Sequence, residues 1–191
     1  CNINSLVNAL KLIDADFEII TSTENLKKFD TIILPGVGNM KAINDETMQQ
    51  FSYDLKNYIE TGKILYGICL GLQMLFEYSE ESKKPTLGLL KGKSISIRNV
   101  VNKKLNVNFN NLLFTDQILK NELINKLFFN IENDSKFYHL HSYYCEPSDD
   151  NINKVYCKVD NIKIPTLFCK NNIIGTQFHP ELSKFAGLRF L

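Results

Sequence analysis

The chain has 191 residues, 44% of them hydrophobic and 23% charged, with a formal net charge of +1. That length suits one well-buried domain and disfavours two. The balanced charge excludes the strong field that draws a protein to nucleic acid or an anionic membrane. No apolar run is as long as a membrane span, and no signal-peptide pattern is visible.

In chain order, Leu6, Val7, Leu10 and Ile13 share one face of a helix over residues 5–13. Phe17–Ile20 and Thr31–Leu34 read as short strands, and the second stops at Pro35-Gly36-Val37-Gly38. Residues 45–61 form an amphipathic helix with Met48, Phe51, Leu55, Tyr58 and Ile59 apolar, and Gly62 as its C-terminal stop. Residues 63–68 make a strand and 70–79 the next helix. This alternation predicts an α/β fold, an open, mostly parallel sheet flanked by helices. Such a sheet normally opens with a central strand. The expectation is therefore a single domain over residues 1–191 that lacks its first strand and the end of its last helix. Beyond Ser94–Ile97 the character changes. Residues 101–111, rich in Asn and Lys, read as loop, and 116–130 hold a short helix. Residues 137–144, 155–159, 166–169 and 173–178 read as meandering, antiparallel strands.

The chemistry centres on Gly67-Ile68-Cys69-Leu70-Gly71. An apolar strand breaks, presents a thiol, and resumes as a helix, the Gly-x-nucleophile-x-Gly form of a nucleophile elbow. At a helix N-terminus the unpaired N–H groups lower a thiol pKa, so a depressed value is expected for Cys69. A buried Cys beside a packing Gly fits the same residues. Of the three histidines, His179 ends a strand at the edge where open α/β sheets place their sites. Glu181 follows two residues on and is placed to hold the second ring N–H, the third role in a triad. A structural His in a turn is the alternative. His139 and His141 alternate onto one strand face, but no further ligand completes a metal site by spacing, so no metal is expected. The Leu70 N–H and the Gly36-Val37-Gly38 loop are the natural donors for an oxyanion, although an ordinary strand-to-helix turn looks the same locally. The five cysteines, Cys1, Cys69, Cys145, Cys157 and Cys169, are odd in number and contain no C-x-x-C pair. That argues for a reducing, cytoplasmic setting and against a disulfide framework. Cys145, Cys157 and Cys169 read as small buried hydrophobes of the strand-rich half.

Taken together, Pro35–Gly38, Gly67–Gln73, His141-Ser142-Tyr143-Tyr144 and Gly175–Glu181 resemble the class I (triad-type) glutamine amidotransferases. Within that class they resemble the HisH family, the glutaminase subunits of imidazole glycerol phosphate synthase. The resemblance runs along almost the whole chain. It implies a Cys69–His179–Glu181 triad that hydrolyses L-glutamine to glutamate through a thioester, without a cofactor. It also implies an oxyanion hole from Leu70 and Val37, and a glutamine pocket using Gln73, His141, Ser142 and Tyr143. The partner it implies is a HisF-like (β/α)8-barrel synthase subunit in a heterodimer, receiving ammonia for imidazole glycerol phosphate in histidine biosynthesis.

Two stretches depart from the pattern. Cys1 stands where a Gly is usual before Asn2. The Pro-His-x-Gly-Trp-Asn segment that faces the partner is matched by Leu105-Asn106-Val107-Asn108-Phe109-Asn110, without the Pro, His, Gly and Trp. The second departure touches the partner surface and leaves open a paralogue that supplies ammonia for sugar amination. A stand-alone γ-glutamyl cysteine hydrolase and a flavodoxin-like binding module are the other readings.

Overall fold

The computed structural model describes residues 3–36, 41, 44–115, 118–132 and 134–191. Cys1, Asn2, Val37 and Gly38, which the sequence singled out, lie outside the described residues. In chain order the elements are α1 (Ile3–Leu12), β1 (Thr31–Leu34), α2 (Asp45–Ile59), β2 (Ile64–Ile68), α3 (Leu70–Leu75), β3 (Tyr78–Ser79), β4 (Lys84–Pro85), β5 (Gly92–Ser96) and β6 (Asn106–Asn111). They continue with α4 (Glu122–Leu127), β7 (Lys136–His141), β8 (Tyr143–Pro147), β9 (Asn153–Val159), β10 (Ile162–Lys170), β11 (Ile173–Thr176), β12 (Phe178–His179) and α5 (Lys184–Phe190).

The central sheet has the order β1-β2-β11-β10-β9. β1, β2 and β11 run parallel, and β10 and β9 are antiparallel additions. Both faces are buried, and the side chains sort by the two-residue period of a strand. Leu65, Phe168 and Ile173 face one core with Met48, Leu55 and Tyr58 of α2 and Leu72 and Leu75 of α3. Tyr66, Ile68, Leu167, Cys169 and Ile174 face the other with Leu6 of α1, Phe137, Phe178 and Phe190. Registers align Leu34, Gly67 and Gly175 side by side, so three strand ends open at one edge of the sheet.

Local signals account for α2. Asn44 caps it by accepting the Thr47 N–H at 2.8 Å, worth about 1 kcal/mol. Asp45 and Glu46 stand at its positive end, and Gly62, at φ +83, turns the chain out after it. α3 stops at Leu75, four residues before its apolar pattern ends, because another segment takes its last carbonyls. Leu87 N–H donates to Met74 O at 2.9 Å, Leu90 N–H to Leu75 O at 2.8 Å and Gly88 N–H to Phe76 O at 2.8 Å. Those tertiary bonds satisfy acceptors that a longer helix would use.

Two smaller sheets, β4-β3-β5-β8 and β12-β7-β6, flank the central one. β6 is a correction to the loop reading of 101–111. It pairs antiparallel with β7, Asn106 opposite His141 and Phe109 opposite Tyr138. Its inward residues are Asn106 and Asn110, 5% and 9% exposed, while Val107 and Phe109 point outward at 53% and 37%. Polar-in and apolar-out inverts the pattern by which a half-buried strand is recognised. Phe17–Ile20 corrects the other way. It carries strand residues but joins no ladder, because among the described strands β1 pairs only with β2. The β9–β10 hairpin turns on Asp160 and Asn161, both at positive φ (48° and 66°), the geometry of a type I′ turn.

Candidate active site

The elbow at Cys69 is built by close approach of α3 to the sheet. A β-carbon on Gly71 would fall 2.1 Å from Leu34 O, and one on Gly67 would fall 2.7 Å from Leu72 N. Neither position admits a side chain, so the helix rests directly on the strand ends. Cys69 itself sits at φ 49° and ψ −99°, a conformation that costs a non-glycine residue about 1–3 kcal/mol. It is held there by its N–H donating to Thr176 O at 2.7 Å and its carbonyl accepting the Gln73 N–H at 3.0 Å.

His179 ends β12, and its ring comes to the same point. A β-carbon on Gly36 would stand 2.9 Å from His179 Cε1 and 3.0 Å from Cys69 Cβ. Gly36 therefore lets the thiol and the imidazole converge beside its own backbone. His179 Nδ1 lies 2.8 Å from Glu181 Oε1, with side chains 1% and 4% exposed. The carboxylate only accepts, so Nδ1 carries a proton and donates it to Glu181. Ser183 braces this turn, its hydroxyl donating to His179 O at 2.5 Å and accepting from Tyr138 N–H at 2.9 Å.

The expected low thiol pKa is not found. Burial, and then the charge of Glu181, push Cys69 up to about 12, against smaller lowering by the Leu70 N–H and by Gln177. α3 is only six residues long, and its dipole is outweighed. The resting sulfur keeps its proton, donating to Leu140 O at 3.8 Å.

The remaining residues singled out in sequence lie around this pair. Gln73 is 4% exposed, and its Nε2 donates to Tyr143 O at 3.2 Å and to Gln177 Oε1 at 3.4 Å. His141 Nδ1–H donates to Tyr143 O at 2.8 Å, and its Nε2 accepts from Asn106 Nδ2 at 3.0 Å. Ser142 forms the bend between β7 and β8, its carbonyl accepting the Ile97 N–H at 2.9 Å. His139 and His141 share a strand face, as the alternation requires. His139 bonds Phe137 O at 2.9 Å and Thr166 Oγ1 at 2.7 Å. Both imidazoles are neutral. Burial above all lowers His139 to about 4, and burial with the neighbouring His139 lowers His141 to about 3. With both ring nitrogens of each committed to the protein, neither offers a lone pair to a metal.

Gln177 and Thr166 were missed. Gln177 is fully buried, and its Nε2 points at Cys69 Sγ from 3.5 Å. It lies two residues before His179, at the bend between β11 and β12, and the two-residue period puts it on the same side as His179. Thr166 is the extra residue of a bulge between Pro165 and Leu167, which aims its hydroxyl at His139. A bulge leaves no such mark in sequence.

A thiol on a strained elbow, an imidazole at the next strand end and a carboxylate behind it stand together at one edge of an α/β sheet. Solved structures share this fold over nearly the whole chain. A crystal structure of a glutamine amidotransferase matches with a TM-score of 0.69 at 15% identity, covering 98% of this chain and 90% of that one. The PurLQS structure from Thermotoga maritima matches with a TM-score of 0.70 at 19% identity, covering 98% and 88%. The family described as glutamine amidotransferase class-I matches residues 2–186. Relatives extend the likeness. The imidazole glycerol phosphate synthase subunit HisH of Pyrococcus furiosus is 37% identical, over 99% of this chain and 92% of its own length. The HisH subunit of Leptospira interrogans is 34% identical, over 100% and 92%. That of Prochlorococcus marinus subsp. pastoris is 33% identical, over 100% and 90%. The chain belongs to the class I glutamine amidotransferases, and within them to the HisH family.

Proposed function

We propose that this chain is the glutaminase subunit of an imidazole glycerol phosphate synthase, and that Cys69, His179 and Glu181 carry its chemistry. The observation that supports it most is the convergence of Cys69 and His179 on Gly36, with Glu181 bonded behind the imidazole. As Cys69 Sγ attacks the side-chain carbonyl carbon of glutamine, its proton passes to His179 Nε2. The carbonyl oxygen takes the negative charge and is met by the Leu70 N–H and a peptide of the Val37–Gly38 loop. His179 then gives its proton to the leaving amine, and ammonia departs from a γ-glutamyl thioester. A water loses a proton to His179 and adds to the thioester. Collapse releases glutamate, and the sulfur takes the proton back. Glu181 fixes the tautomer and offsets the imidazolium charge in each half. Gln73 and the 141–143 segment hold the amino-acid end of glutamine.

Ammonia released here passes to a HisF-type (β/α)8-barrel subunit. Protonation in bulk water would remove its nucleophilic lone pair, so transfer within a heterodimer preserves it. The four described cysteines are free, which suits a reducing cytoplasm. The inverted strand β6 favours one second reading. With Val107 and Phe109 outward in place of the family's usual segment, the partner is a HisF-like protein that aminates a sugar. A glutaminase assay with each barrel partner and its ligand decides between them. Weak activity alone and strong stimulation by a liganded HisF-type partner are expected. Full activity without any partner counts against the subunit reading, and stimulation only by the sugar-aminating partner supports the second.

A further inference from the structure

β6 carries a buried asparagine whose bond reaches the glutamine pocket. Asn106 is 5% exposed on a strand whose other face is apolar and open. Its Nδ2 donates to His141 Nε2 at 3.0 Å, and His141 Nδ1–H donates to Tyr143 O at 2.8 Å. The same carbonyl accepts from Gln73 Nε2 at 3.2 Å, and Gln73 meets Gln177, whose amide faces Cys69 Sγ. Each link is a single donor and acceptor, and the carbonyl of Tyr143 has two lone pairs to serve both bonds. Nothing in the triad chemistry uses Asn106.

We infer that Asn106 is a positioning residue for the glutamine pocket, fixing through His141 the Tyr143 carbonyl on which Gln73 hangs. This rests on the reading that Gln73 and residues 141–143 hold glutamine. The amide does two things an apolar residue cannot. It satisfies the buried Nε2 lone pair of a neutral imidazole, and it holds the ring so that Nδ1–H meets the acceptor-only Tyr143 O. With the proton held on Nδ1, the ring can only donate to Tyr143 O, and the bend at Ser142 is locked. The pocket thereby lies one side chain from the outer surface of β6, so a change in the seating of that strand reaches substrate binding before it reaches the nucleophile.

The test uses the intact chain and a glutamine-analogue electrophile, diazo-oxo-norleucine, which separates binding (KI) from reaction at Cys69 (kinact). Asn106→Leu is expected to raise KI about tenfold, the size of one buried hydrogen bond, with kinact within about twofold. In a His141→Phe background, Asn106→Leu is expected to add nothing, because the bond is already gone. Asn106→Ser, smaller and without the reach, gives the same KI effect if Leu impairs folding. Gln73→Ala serves as the control for the pocket and raises KI on its own. Raised KI in Gln73→Ala with wild-type KI in both Asn106 variants overturns this inference and leaves the pocket reading intact. An unchanged KI in Gln73→Ala overturns the pocket reading, and the inference with it. A loss confined to kinact, or an undiminished effect in the His141→Phe background, also overturns the inference.

Discussion

Acid should unfold this protein through His139 and His141 before its carboxylates come into play. An unfolded histidine titrates near 6.5, while burial lowers His139 to about 4 and His141 to about 3 in the folded chain. The unfolded state therefore binds more protons across this window, and stability falls as pH falls. The neutral-ring contribution is complete above about pH 6.5 and is lost progressively toward pH 4 and 3. At pH 5 each unfolded imidazole gains about 2 kcal/mol by protonation that the folded site refuses, so the pair costs about 4 kcal/mol relative to pH 7. That is a large share of the roughly 5–15 kcal/mol a domain has, and corresponds to about ten degrees in Tm. Asp149 is lowered to about 2 by Lys170 and the Asn151 N–H, so its contribution is lost from about pH 4 down to 2 and is intact at pH 5. Urea unfolding at pH 5, 6, 7 and 8 measures the effect. His139→Gln should remove about half of the fall. A stability flat between pH 7 and 5, or an undiminished fall in His139→Gln, would refute the reasoning.

Three further outcomes follow from the site and its scaffold. Gly36→Ala puts a methyl 2.9 Å from His179 Cε1 and 3.0 Å from Cys69 Cβ. Glutaminase kcat should fall by about a hundredfold while the thermal midpoint moves by a few degrees, as steady-state kinetics and calorimetry would show. Gly71→Ala meets backbone, Leu34 O at 2.1 Å, and should destabilise by at least about 1–3 kcal/mol in urea unfolding. Glu181→Gln keeps the shape but removes the charge and the pure acceptor bonded to His179. kcat should drop by about 100-fold or more, with KM for glutamine within about threefold.

Much of the scaffold was legible because its signals are local. The strand, the two glycines and the helix around Cys69 need only one short segment, and His179 with Glu181 needs another. What escaped depends on long-range geometry. β6 hides because its buried side chains are asparagines, Asn106 and Asn110, of which Asn106 bonds His141 of β7. The early stop of α3 depends on N–H groups from residues 87–90 taking its carbonyls. Phe17–Ile20 has the composition of a strand but no described neighbour to pair with. The Cys69 thiol misled for a related reason. A helix N-terminus can be read from sequence, whereas the burial and the Glu181 charge that outweigh it appear only when four strand ends and a turn are assembled.

The covalent step at Cys69 is the centre of this account. Isotopically labelled glutamine, mixed with the chain and its liganded barrel partner and quenched in acid during turnover, should leave label on the peptide carrying Cys69. The adduct should be released by hydroxylamine and absent from Cys69→Ala, which should also produce no ammonia from glutamine. Turnover of glutamine by Cys69→Ala at the wild-type rate, or label on another residue in its place, would contradict it.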